Sequence, residues 1–313
     1  MKPPVSMGTG GTLDGVSADP EPTPPETADG PVGTFEAHRA LLTSIAYRML
    51  GQLVDAEDVV QEAWLRWALA SHDEVRDPRA FLVTVTSRLA LDRLRRIAAR
   101  RETYTGEWLP EPVAHAPDPA DAAANAETVA YGLLVVLESL SPLERVVYVL
   151  REAFDVPHAE IAQILDRSEP AIRQLASRAR SHVAARHDRF EADEGTASEA
   201  ARRFLDAARG ADLGPFLALL APDVELVADA GGQVRAPLLP VRGSANVGRF
   251  LEAVSQRSDP RAVTMVARLN GAPGIVVRLD DAPAAALLLE VSGGAITRLY
   301  LVGNPDKLGH VTS

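Results

Sequence analysis

The sequence predicts two all-helical domains in series, followed by an α+β domain. Three observations lead there. Apolar residues recur at helical spacing from Phe35 to about Arg101, and again from about Ala124 to Val183. A proline-containing acidic stretch separates the two runs. From Ala262 onward the apolar period drops to two, broken by Asn270-Gly271 and Ser292-Gly293-Gly294 where hairpin turns belong.

A chain of 313 residues is long enough for two or three domains. It has no cysteine, which excludes disulfides and thiolate metal sites and makes a reducing cytoplasm the expected compartment. No apolar run approaches the roughly 20 residues of a membrane helix, and no basic-then-apolar signal opens the chain. A net charge of −11 argues against nucleic-acid binding until the charge is located. Lys2 and Lys307 are the only lysines; the other basic residues are arginines, and they cluster. Local basic patches can carry phosphate binding inside an acidic chain.

Residues 1–34 hold seven prolines and six glycines with almost no large apolar side chains, which predicts a disordered tail. The first helical domain spans 35–101. Phe35, Leu41, Leu42, Ile45, Ala46, Met49 and Leu50 form the apolar face of its first helix, and Gly51 ends it. In the second, Val60, Ala63, Trp64 and Trp67 face the core. Asp58, Gln61, Glu62 and Leu65 are left as an acidic, partly apolar stripe. Asp77 is placed to N-cap the third helix, with Pro78 as its first residue. That helix ends in Arg88, Arg93, Arg95, Arg96, Arg100 and Arg101 against one acid, Asp92. An acidic helix beside an arginine-rich one suggests two partners of opposite charge, but on charge alone two amphipathic helices with solvated faces is the favoured reading.

Residues 102–126 read as a linker, with acids, prolines and no Lys or Arg. Inside it Trp108-Leu109-Pro110-Glu111-Pro112 is unusual, because a tryptophan in a flexible segment points to docking on a surface. The second helical domain spans 127–190. Ser141-Pro142-Leu143-Glu144 reads as a capping box with proline at the first helical position. His158–Val183 fits a helix-turn-helix in which Asp166 takes the left-handed turn position. Ile172, Leu175, Ala176, Ala179 and Val183 pack inward. Ser168, Arg173, Gln174, Ser177, Arg178 and Arg180 project outward, with chemistry suited to guanine, adenine and phosphates in a major groove. The domain at 196–313 opens with an apolar helical stripe (Ala200, Phe204, Leu205, Ala208) and a helix capped by Ser244. Strands follow at Ala262–Leu269, Ile275–Leu279, Ala284–Val291 and Ile296–Val302, an antiparallel meander.

The stretch DAEDVVQEAWL (Asp55–Leu65), followed by DPRAFLVTVTSRLALDRLR (Asp77–Arg95), closely resembles region 2 of bacterial extracytoplasmic-function sigma factors. The helix-turn-helix resembles region 4 of the same family. The resemblance implies that Asp55, Asp58, Gln61, Glu62 and Leu65 bind the β′ clamp helices of core RNA polymerase. It implies that Arg79, Thr84, Ser87 and Arg88 lie near the minus-ten promoter element. Region 4 would read the minus-thirty-five element and meet the β flap. The C-terminal domain resembles the SnoaL-like, NTF2-like cone, a curved sheet wrapped around a pocket. Asn304-Pro305-Asp306-Lys307-Leu308 matches the NPDKL signature of sigma factors with such an extension, and Trp108–Pro112 matches their WLPEP. Their DGGGK is altered here to Asp229-Ala230-Gly231-Gly232-Gln233. These three stretches are the expected cis-regulatory contacts.

Catalysis is not expected. The only histidine of the last domain, His310, lies beyond the final strand, and Asp223, Glu225 and Asp229 form no acid–base pair at a persuasive spacing. No phosphate loop or metal-ligand cluster occurs, so no cofactor or metal is expected. The reading is a sigma factor with core polymerase, promoter DNA and its own C-terminal domain as partners, no membrane, and room for a small-molecule ligand in the cone. Its rival is a one-component regulator, a helix-turn-helix fused to a ligand-binding domain, which has no need of the stretch Asp55–Arg96.

Overall fold

A computed structural model of the chain describes residues 30–101 (side chains through 99), 104–114, 130–187, 194–210 and 212–311. Most of the expected tail, the second half of the linker and the expected helix start near Ala124 lie outside these residues. Three long helices come first: α1 (Pro31–Leu50), α2 (Leu53–Ala68) and α3 (Pro78–Arg101). Helix α1 begins four residues ahead of Phe35 for two local reasons. Pro31 sits in its first turn, and the Pro31 carbonyl accepts the Trp67 indole N–H at 2.7 Å. Gly51 ends α1 at φ 73°, its N–H returning to the Tyr47 carbonyl. Asp77 caps α3 through the Ala80 N–H, as expected.

The second helical domain holds α4 (Tyr131–Leu137), α5 (Pro142–Tyr148), a π-helical turn (Val149–Ala153), α6 (His158–Leu165) and α7 (Glu169–His187). The capping box at Ser141 forms with Glu144, and Asp166 adopts φ 50°, ψ 57° as expected. The two helical domains are not separate bodies on a flexible tether. One continuous cluster of buried apolar side chains runs from Phe35 in α1 to Val183 in α7. At its centre the Arg145 guanidinium, 2% exposed, pairs with Glu138 at 2.9 Å and reaches the Arg48 carbonyl. A charge buried to that extent persists only when paired.

The last domain comprises α8 (Glu194–Ala208), α9 (Gly214–Leu217), β1 (Leu220–Asp229), β2 (Val241–Arg242), α10 (Ser244–Gln256), β3 (Val263–Leu269), β4 (Ala272–Leu279), β5 (Ala282–Ser292) and β6 (Ala295–Val302). The four expected strands are present, but the sheet has six, in the order β2-β1-β6-β5-β4-β3, and β1 runs parallel to β6. The four expected strands, β3 to β6, do form the antiparallel meander; what was not expected is the pair β1 and β2 that extends the sheet beyond β6. Pro222, Asp223 and Glu225 hide the alternation of β1, whose Val224, Leu226 and Ala228 point into the core. The hairpins at Asn270-Gly271 and Gly293-Gly294 hold positive φ at both central residues, and so do Asp280 and Asp281, a turn without the expected glycine.

Helices α8, α9 and α10 cover one face of the sheet, where Phe204 meets Phe216 edge-to-face at 5.1 Å. The opposite face carries Val276, Leu288, Tyr300 and Val302, and packs against Leu109 and Tyr131 from the helical half of the chain. The sheet thus docks on the helical domains through its helix-free face.

Gly51 lies where the two helical domains meet: a Cβ there would run into the Glu138 carboxylate and crowd Arg145. Gly51→Ala should destabilise the chain by more than about 1 kcal/mol, from positive φ plus the disturbed buried pair, measured as a lowered midpoint in urea.

Candidate functional site

The residues of α2 expected to meet polymerase divide in two. Gln61 and Leu65 are exposed, Leu65 at 56%, and Asp58 and Glu62 have side chains 59% and 52% exposed. Asp55 is different. It is buried, its carboxylate held by the Arg93 guanidinium from α3, which also reaches Asp58 at 3.3 Å. The expectation that Asp55 joins the polymerase contacts is corrected: it is buried, and its charge ties α2 to α3.

On α3, Arg79 is exposed, while Thr84 is half-buried with its hydroxyl donating to the Ala80 carbonyl at 2.8 Å. Ser87 is not at the surface. Both it and Thr86 are fully buried, and neither hydroxyl has a hydrogen-bond partner. The reason is that α3 is covered on two sides, by α1 and α2 and by α5 and α6. Arg88 marks the second contact. Its Nε donates to the Ile164 carbonyl at 2.7 Å and its guanidinium to the Gln163 carbonyl at 3.1 Å. A cation is thereby seated on the open carbonyls that end α6, where the helix dipole is negative.

Along α7, Ser168, Arg173, Gln174, Ser177, Arg178 and Arg180 all reach solvent, as the helix-turn-helix pattern requires. The three arginines are provisionally paired: Arg173 with Glu169, Arg178 with Glu144 at 3.6 Å, and Arg180 with Glu152 at 2.8 Å. Such exposed pairs contribute about 0–1 kcal/mol and yield readily to phosphates.

The three short motifs converge, although more than a hundred residues separate the first from the other two. Asp229, at the end of β1 and 1% exposed, accepts from Lys307 Nζ at 2.6 Å, from the Leu109 N–H at 2.9 Å, from the Gly231 N–H at 3.1 Å and from the Tyr104 hydroxyl. Lys307 is equally enclosed. It donates to the Leu109 carbonyl at 2.6 Å and stands 3.4 Å from the centre of the Trp108 ring, a cation–π contact out of water. Asn304 donates to the Tyr104 hydroxyl and accepts from the Asp306 N–H. Gln233, in place of the lysine of DGGGK, donates to Asp306 Oδ2 at 3.0 Å. Gly231 lies so near Asn304 that a Cβ would stand 2.7 Å from its amide, while Gly232 faces Thr105. Pro305 is exposed and Leu308 is buried beside Leu109. Burial first, then the Asp229 carboxylate, pushes the Tyr104 phenol above its ordinary range, so it remains a donor.

Residues 104–114 therefore form a strap rather than a loose linker. Pro110 and Pro112 are buried, and the Pro110 carbonyl accepts from the Tyr131 hydroxyl at 2.7 Å. Asn270 brackets Val113 through its backbone N–H and its side-chain carbonyl, and Ala114 donates to the His310 carbonyl. Glu111 joins both sides, bonded to the Leu53 N–H of α2 and to His310 Nδ1 at 2.6 Å. Tyr47, Tyr131, Asn270 and His310 are not legible in the sequence as partners of the strap, because no local pattern joins any of them to it and only the pairing of distant elements reveals the role.

Two cavities lie where the sheet meets the helical domains. One of about 230 Å³ lies between Tyr131 and the sheet residues Asn270, Leu288, Glu290 and Tyr300. Another of about 400 Å³ lies between Trp108, Glu138, Arg186, Glu225 and Arg298. Both are on the docking face. Among the described residues no acid or histidine cluster suits a metal ion, and no helix is long and apolar enough to cross a membrane.

Comparison with known proteins bears on these surfaces directly. Residues 34–101 match the family model for Sigma-70 region 2, and residues 132–183 that for Sigma-70 region 4. The chain is 43% identical over 290 residues to the ECF RNA polymerase sigma factor SigJ of Mycobacterium tuberculosis, covering 88% of this chain and 92% of that protein. It is 33% identical over 281 residues to the probable ECF RNA polymerase sigma factor SigI of the same species, covering 88% and 93%. The crystal structure of M. tuberculosis SigJ superimposes with a TM-score of 0.72 at 40% identity, covering 90% of this chain and 99% of that one.

Breaking the buried Asp229–Lys307 pair from one side should be severe. Lys307→Met is expected to cost about 3–5 kcal/mol by leaving Asp229 as an uncompensated buried charge. Lys307→Met combined with Asp229→Asn should recover part of that loss. Urea unfolding of the two variants, followed by Trp108 fluorescence, checks both.

Proposed function

The chain belongs to the extracytoplasmic-function RNA polymerase sigma factors, and on that premise we propose that its C-terminal domain regulates it in cis by holding its two DNA-reading domains together. Sigma factors bind core RNA polymerase and promoter DNA, and directing transcription initiation is the function of this chain; the family is not an enzyme class. A one-component regulator is disfavoured, because region 2 is matched along its length.

The finer reading assigns Asp58, Gln61, Glu62 and Leu65 to the β′ clamp helices, with the neighbouring Leu69, 89% exposed, extending the apolar part of that face. Arg79, Thr84 and Arg88 serve the minus-ten element, and Ser87 joins them only once α3 is uncovered. The outward set on α7, Ser168 to Arg180, reads the minus-thirty-five element, and region 4 meets the β flap. The observation that carries the proposal is the Arg88 guanidinium on the carbonyls of α6. A residue meant for DNA at one promoter element is occupied by the domain that reads the other. Two elements separated by a spacer cannot both be reached while those domains share a core. The strap favours this closed arrangement, acting within one chain at an effective concentration of order mM.

Removing Gly303–Ser313 should release the strap and raise transcription from a mapped promoter when purified core polymerase is saturating, so that weaker docking does not limit the yield. Removing everything after Phe190 also deletes support for region 4 and should lower it. Equal activity of full-length and both truncated chains, with no crosslink between Trp108 and the C-terminal domain, would refute regulation in cis.

On the polymerase face, Asp58→Lys with Glu62→Lys should abolish core binding with little change in melting temperature, since both side chains are exposed. On α7, Arg173→Ala or Arg178→Ala should cost about 1–3 kcal/mol at a base-reading position. A phosphate contact would instead weaken all sequences alike, a difference that binding to single-base operator variants resolves.

A further inference from the structure

Helix α2 lacks a cap of its own. Its N-cap residue, Gln52, has extended backbone (φ −133°, ψ 129°) and makes no side-chain cap bond. Asp55, three residues on, is turned to Arg93 and does not reach back. The first N–H groups of a helix need an acceptor, and its positive dipole end favours an anion. Here the acceptor comes from another part of the chain. Glu111 Oε2 takes the Leu53 N–H at 2.7 Å, and the Glu111 carboxylate is 1% exposed.

The rest of Glu111 is built to keep it there. Its backbone N–H donates to the Gly51 carbonyl at 2.7 Å, and its carbonyl accepts from the Tyr47 hydroxyl at 2.9 Å. Tyr47 in turn accepts from the Asn270 side chain of the C-terminal domain at 2.7 Å. The second carboxylate oxygen is held by His310 Nδ1. One residue of the strap therefore binds the corner between α1 and α2 with its backbone, the first turn of α2 with one oxygen, and the C-terminal domain with the other.

We infer that Glu111 is a remote N-cap of α2, a positioning residue through which docking of the C-terminal domain sets the order of the helix that meets core polymerase. The inference rests on the assignment of α2 to polymerase docking and adds a residue and a mechanism to it. It makes the strap more than a tether: when Glu111 leaves, the first turn of α2 frays, and the chain that opens its DNA-reading domains also loosens its grip on the polymerase. A local cap supplied at Gln52, whose backbone already has the N-cap conformation, should replace Glu111 in this role.

The test uses the full chain as Glu111→Ala and as Glu111→Ala with Gln52→Asp. Hydrogen exchange is followed at the amides of Leu53, Val54 and Asp55, with the amides of α7 reporting on general loosening. A cap is worth roughly a 5-fold change in helix-end stability, so exchange at the start of α2 should rise by about that factor in Glu111→Ala and stay unchanged in α7. Affinity for core polymerase should fall in parallel. Gln52→Asp should restore both, although it rebuilds no contact with the strap or with His310. No rise at α2, an equal rise in α7, or failure of Gln52→Asp to restore exchange overturns the inference. Exchange that behaves as expected while core affinity never moves leaves the cap standing and overturns its link to polymerase. In that event Asp58→Lys with Glu62→Lys, by keeping or losing binding, tells whether the assignment of α2 itself has failed.

Discussion

The ion pair between Asp229 and Lys307 is the constraint around which the assembly closes. Two opposite charges at 1% exposure are tolerable only when every remaining donor and acceptor is matched. The matching groups are not all in the same domain. Leu109 contributes its N–H to the acid and its carbonyl to the amine, and Trp108 lays its ring over the cation. Lifting the strap away would strand a carboxylate and an ammonium together, so the strap and the end of the chain leave or stay as a unit.

The contact between the two DNA-reading domains is of another kind. It shares a large apolar core, yet it engages Arg88 through backbone carbonyls that water would satisfy equally well. A surface with these residues is compatible with burial without being made for it. A fully matched junction at the strap thus stands beside a contact at α3 made by one arginine on helix-end carbonyls. Sigma factors act on polymerase and promoter together, and the polar residues of α3 and α7 suit that use.

Much of this was legible without coordinates. Period and capping residues placed α1, α2, α3 and the helix-turn-helix, with Asp166 at the turn, because helix starts, stops and faces are written in residues three or four apart. Four of the six strands and two hairpin turns were legible for the same reason, since Asn-Gly and Gly-Gly bend a chain wherever they occur. The exposed stripe Asp58–Leu65 and the outward arginines of α7 followed from what the apolar faces left over.

What only the tertiary structure decided involves partners distant in sequence. Asp55 is inward because Arg93, on another helix, needs a counter-charge. Ser87 is buried on a helix packed against both helical domains, and β1 becomes a strand because β6 lies alongside it in parallel. The cap of α2 is the extreme case. Sequence shows that Gln52 is a poor N-cap and Glu111 a lone acid among prolines, and nothing local joins the two. Backbone geometry is set by neighbours along the chain, whereas a buried carboxylate is placed by whichever orphan donors it can satisfy, and those are known only once the chain has folded.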